Sequence, residues 1–249
     1  LKLREAMQDE LKALQHRLWT ALDRINPGPL PRARITPEDF LVVPDFMLKS
    51  ALEAYPGNEI GVFVQNTFAL QRQIGRIRQS HADPLTRIRW AIGVSEICME
   101  QISLLDLDHA YLLPASMRPQ AFPFVTQKEP LITYMPRKRR EEASYLHHML
   151  ERRGRIAGYR IEAIDALPRA QVAQMLGRSR FFLSLQKHES IGFPAAEAMA
   201  SGAIAIGYTG VGGREYFTPE TGIPVPEDDS TALILAVEAA VARLLARQI

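Results

Sequence analysis

The chain has 249 residues, 47% of them hydrophobic and 23% charged, which suits one large or two small domains and argues against a wholly disordered chain. Its 30 Lys and Arg against 28 Asp and Glu leave a net charge of +2, which provides no broad basic surface for nucleic acid. Cys98 is the only cysteine, so an internal disulfide and a multi-cysteine zinc site are excluded, and a reducing cytoplasm is the expected compartment.

Leu1 stands in place of an initiator Met, no signal-peptide pattern follows it, and no apolar run reaches the roughly 18 residues that span a bilayer. Met7, Leu11, Leu14, Leu18, Leu22 and Ile25 recur at three- and four-residue steps and predict an amphipathic packing helix over 7–25. The Pro- and Gly-rich stretch 26–31 ends it. Short apolar runs follow at 40–43, 60–64, 91–94, 110–113, 131–135, 159–164, 181–185 and 203–206. They are too short for helices and too continuously apolar for one-faced strands, so they predict parallel strands covered on both faces. Helix-like segments at 139–152, 168–177 and 194–201 alternate with them. Strand–helix alternation predicts right-handed crossovers and an α/β, doubly wound fold. Pro114, Pro119, Pro123 and Pro130 mark a connector at 115–130, between a front lobe at 1–114 and a second lobe at 131–249.

The informative stretch runs from His188 to Gly202, between two predicted strands. Pro194 suits a first helical position, where a missing amide costs nothing. Glu189 then stands in the loop above the carboxyl end of a strand, the edge at which open α/β sheets bind ligands, and Glu197 lies about one turn into the helix. The amides of Ser190, Ile191, Gly192 and Phe193 can face an anion there, and Gly192 permits close approach. A carboxylate beside an anion must bind neutral hydroxyls instead. Two carboxylates flanking a phosphate therefore suit a nucleotide sugar, with ribose on one side and hexose on the other.

The whole pattern resembles the Glu-x7-Glu signature of retaining glycosyltransferases of GT-B fold, the group 1 (family 4) class. The similarity extends over about 131–229, taking in Ala166-Leu167-Pro168, the turn Gly210-Val211-Gly212-Gly213-Arg214-Glu215 and Thr221-Gly222-Ile223-Pro224-Val225. The resemblance implies two Rossmann-like lobes and a metal-independent hexosyl transfer from a nucleotide-sugar substrate, with retained anomeric configuration and no cofactor. It implies that Glu189 places the donor sugar and that Glu197 binds ribose hydroxyls. Ser190, Ile191, Gly192, Phe193, Gly212 and Gly213 would lie along the donor, and Arg137 would neutralise the leaving diphosphate. Pro136 replaces the family's glycine before Arg137, and Glu142 falls where a lysine is usual, so the second cation is Lys138, Arg139 or Arg140. Leu185-Gln186 replaces the usual Pro-Ser.

Residues 39–114 resemble the later part of the acceptor lobe. Gln65 and Asn66 stand where relatives carry His-Asn facing the cleft, and Ser95 follows another strand; all three are expected on the acceptor side. No strand with a glycine-rich turn precedes Met7, so the front lobe is expected to be abbreviated or the sequence a fragment. The resemblance implies an acceptor that is a sugar, a lipid-linked molecule or a protein, and leaves its identity open. Peripheral attachment to the inner face of the membrane stays open, with little support from the charge. Two other functions fit the pattern: a nucleotide-sugar-binding module without catalysis, and a nucleotide-sugar epimerase.

Overall fold

The computed structural model describes residues 34–78, 84–105, 107 and 109–246. The amphipathic segment at 7–25 lies outside them. Two parallel sheets organise the chain. The first has the order β1 (Leu41–Pro44), β2 (Ile60–Val64), β3 (Ile88–Gly93), β4 (Ala110–Leu112). Each step moves to the next neighbour in one direction. Right-handed crossovers then place α1 (Leu48–Ala54), α2 (Thr67–Arg78) and α3 (Glu96–Ser103) on one face. There Leu48, Leu52, Leu70, Ile74, Cys98 and Ile102 close over Ile60, Val62 and Ala91. The other face carries Trp90, stacked on Phe40 at 4.8 Å, with Val42 and Tyr111 exposed beside it.

The second sheet contains β5 (Glu129–Tyr134), β6 (Arg160–Ala163), β7 (Ser179–Leu185), β8 (Ile204–Tyr208) and β9 (Ile223–Pro224) in the order β6-β5-β7-β8-β9. Strand alternation sends Phe181 and Leu183 to one side and Phe182 to the other. The first side packs on α4 (Arg140–Arg153) and α7 (Ser230–Ala246) through Leu146, Leu150, Leu233 and Val237. The second packs on α5 (Arg169–Arg178) and α6 (Phe193–Ala200) through Leu176, Ala195 and Ala198. Burial on both faces accounts for the unbroken apolar runs.

Within the described residues the predicted strands and helices fall within a residue or two of those observed, except that β3 begins three residues before the expected 91–94; α1, α2, α3 and α7 add to them. Residue contacts group both sheets in one compact unit that begins at Phe40. Among the described residues, no helix is long and apolar enough to cross a membrane.

Candidate active-site cleft

Chain order reverses at β5: β6 lies on one side of it and β7 on the other. The loops after β5 and β7 therefore part and leave a crevice at their carboxyl ends. A hollow of about 1010 Å³ occupies it, lined by Met135, Arg137 and Lys138 after β5, by Ile164, Asp165, Ala166 and Leu167 after β6, and by Gln186 and Glu189 after β7. Phe193, Pro194 and Glu197 of α6, Arg169 and Val172 of α5, and Ser116, Met117, Arg118 and Phe122 of the connector complete the wall.

Glycine geometry shapes the β7–α6 loop. Gly192 has φ 81°, and a β-carbon there would fall 1.7 Å from Gln186 Oε1. Its carbonyl accepts from Tyr216 Oη at 2.5 Å and from Gln186 Nε2 at 3.3 Å. Burial pushes the Tyr216 phenol up to about 12, so it keeps its proton and donates. Gly212 N–H donates to Glu189 O at 2.8 Å, and a β-carbon at 212 would meet Ser190 O at 2.0 Å. Gly212 and Gly213 thus pack behind the loop and support it, rather than lining the hollow.

The charges divide clearly. Lys138 Nζ lies 2.7 Å from Glu189 Oε1 and donates to Lys187 O at 3.2 Å. Glu197 is half-buried; burial raises its carboxyl above the ordinary value, and the Arg169 charge pulls the other way. Arg137 is exposed and lines the hollow without a carboxylate partner among the described residues. Arg140 forms a fork to Asp165 at 2.9 and 3.3 Å. Arg139 turns away altogether: its buried guanidinium meets Glu142 at 2.9 Å, Glu227 at 3.3 Å and Asp228, and lies 4.6 Å over the Tyr208 ring. Glu142 also accepts from Tyr208 Oη and from Ser230 Oγ at 2.8 Å; burial pushes its carboxyl up, but these bonds and the Arg139 guanidinium together hold it below the usual range. Of the basic run, only Arg137 and Lys138 reach the hollow.

The remaining predicted residues divide between the hollow and its surroundings. Phe193 lines the hollow, whereas Ile191 and Gly192 do not. Ser190 is buried, and its Oγ accepts from Thr67 N at 3.3 Å. Gln65 is exposed at the tip of β2. Asn66 Oδ1 accepts from Ala69 N at 3.1 Å, and its Nδ2 donates to His188 O at 2.9 Å. Ser95 Oγ accepts from Cys98 N at 3.1 Å and caps α3. These three are turn and helix-cap residues, and none lines the hollow. Sequence reasoning passed over Asp165, Arg118, Arg169 and Phe122; the position of Asp165 just beyond a strand next to the switch point was the available signal. Among the described residues, no three His, Cys, Asp or Glu side chains gather as a metal cluster.

No protein-family model and no curated protein sequence matches this chain. Solved structures do. Sucrose-phosphate synthase from Thermosynechococcus elongatus is 15% identical, with a TM-score of 0.60 over 82% of this chain and 64% of its own. S. aureus TarM, solved with UDP, is 10% identical, with a TM-score of 0.58 over 76% and 45%. A UDP-forming α,α-trehalose-phosphate synthase from Burkholderia xenovorans is 13% identical, with a TM-score of 0.56 over 85% and 68%. The fold is GT-B. The chain spans 64% and 45% of the lengths of the first two. In GT-B terms, β5–β9 form the second lobe and β1–β4 the described part of the first.

Proposed function

We propose that this protein is a glycosyltransferase that moves a hexosyl group from a nucleotide-sugar donor to a sugar-bearing acceptor, with retention and without a metal ion. One observation carries the reading: Glu189 and Glu197 line a single hollow together with Arg137 and Lys138. Carboxylates suit neutral hydroxyls and cations suit phosphates, so the set matches the alternating chemistry of ribose, diphosphate and hexose. The GT-B neighbours agree with it, since TarM and the pneumococcal GtfA were both solved with UDP.

In this reading Glu197 accepts from the ribose hydroxyls, and Glu189 accepts from hydroxyls of the donor sugar. Lys138 holds the Glu189 carboxylate at the mouth of the site. Arg137 and Lys138 face the diphosphate. As the bond from the anomeric carbon to the phosphate oxygen breaks, negative charge grows on that oxygen, and fixed cations stabilise it. The acceptor oxygen bonds to the anomeric carbon on the same face. Its proton passes to the departing phosphate oxygen, so no protein nucleophile is required. The resemblance to retaining enzymes supplies the stereochemistry.

Glu189→Ala should lower donor hydrolysis or transfer at least about tenfold, a loss of about 1.4 kcal/mol, with nucleoside diphosphate affinity nearly intact. Steady-state turnover beside a calorimetric titration checks this. Full turnover in that variant removes Glu189 from the chemistry. A wild-type chain that binds the donor but never hydrolyses or transfers it is a binding module instead.

A further inference from the structure

The loop bearing Glu189 is held from the other sheet. His188 has φ 51°, in the left-handed region that a residue with a β-carbon occupies only at a cost. Its carbonyl accepts from Asn66 Nδ2 at 2.9 Å, and its ring stacks on Phe68 with centroids 4.4 Å apart and planes 27° apart. Two residues on, Ser190 Oγ accepts from Thr67 N at 3.3 Å. The three partners are consecutive residues, Asn66 just ahead of α2 and Thr67 and Phe68 in its first turn. Glu189 stands between the two tethered residues, with its own carbonyl bonded to Gly212 N at 2.8 Å.

Released from such contacts, His188 would relax to an extended or right-handed backbone. That rotation re-aims the next Cα–Cβ bond, and the glutamate side chain multiplies the displacement at its carboxylate. We propose that Asn66 and Phe68 are positioning residues for Glu189: they hold His188 left-handed and so set where the Glu189 carboxylate stands in the hollow. The consequence rests on the role given to Glu189 above. It also couples the two lobes, because the first lobe must be in place for the donor-side carboxylate to be aimed.

The test compares the wild-type chain with Asn66→Ser, alone and combined with His188→Gly or His188→Ala, and with Phe68→Ala as an independent probe. Serine keeps a capping oxygen for α2 but is too short to reach the His188 carbonyl. Turnover in Asn66→Ser and in Phe68→Ala should fall at least about fivefold while UDP affinity stays within about twofold, since Arg137 and Glu197 are untouched. Amide hydrogen exchange at Glu189 and Ser190 should speed up by about tenfold. Glycine takes the left-handed backbone without cost, so adding His188→Gly should restore most of the lost rate, whereas His188→Ala should not. Unchanged turnover and exchange overturn the proposal. So does a glycine no better than alanine, or a UDP affinity that falls in step with turnover, because either result describes an ordinary packing contact. If the wild-type chain neither binds UDP nor turns over, the proposed function fails, and the exchange measurements still decide the positioning.

Discussion

Glu197 lines the hollow at the expense of the fold. Burial raises its carboxyl above the ordinary 4.5, so the folded chain takes up its proton more readily than the unfolded chain. Its contribution to stability is therefore greatest where it is protonated, and is lost as pH climbs from 4.5 through the raised value. Glu197→Gln should melt above wild type at pH 7, with the gap closing toward pH 4. A melting curve at each pH reads this directly, and a constant gap would mean that packing, not ionisation, is responsible. The Glu pair was legible because Pro194 and Gly192 fix a helix start between the two residues. Asn66 and Ser95 were not, because a polar residue at a strand tip can equally face a ligand or cap the next helix, and sequence does not reveal which way the turn leans. Here the caps win.

At the scale of elements, the basic run 137–140 shows what helix register decides. Arg139, Ala143, Leu146 and Leu150 are all buried, at four-, three- and four-residue steps along one face of α4 and its cap. That spacing was present in the sequence and separates Arg139 from its neighbours, but the identity of its partners depends on Glu227 and Asp228, nearly ninety residues away. Glu142, standing where the family has lysine, anchors the same network and so cannot serve a phosphate. The turn behind the loop that bears Glu189 makes a sharper demand. Gly212→Ala drives a β-carbon to 2.0 Å from a backbone oxygen that has no freedom to yield, and should cost about 2 kcal/mol or more. Gly75→Ala, within α2 and meeting nothing within 4 Å, should instead gain about 0.5–1 kcal/mol. Denaturant midpoints of the two variants should move in opposite directions, and equal shifts would contradict the packing described.

For the whole molecule, alternation of strands and helices disclosed parallel sheet structure; the expectation that both faces are covered holds for the second sheet but not for the first, whose outer face leaves Val42 and Tyr111 exposed. The joining of the sheets was not readable. It depends on bonds between residues far apart in sequence, such as Glu215 Oε1 accepting from Ile97 N at 2.8 Å at the start of α3. The connector was legible as proline-rich chain, but not as a wall of the hollow, which Met117, Arg118 and Phe122 make it. The hollow draws on the second sheet and the connector, so under the proposed function nucleotide recognition would belong to that half.

The most direct test is calorimetric titration of the wild-type chain, Glu197→Ala and Arg137→Ala with nucleoside diphosphates and with the matching nucleosides. The wild-type chain should bind at least one diphosphate. Glu197→Ala should weaken nucleoside and diphosphate alike, and Arg137→Ala should weaken the diphosphate far more than the nucleoside. A wild-type chain that binds none of them, or binding indifferent to both substitutions, would contradict the assignment of this cleft to a nucleotide sugar.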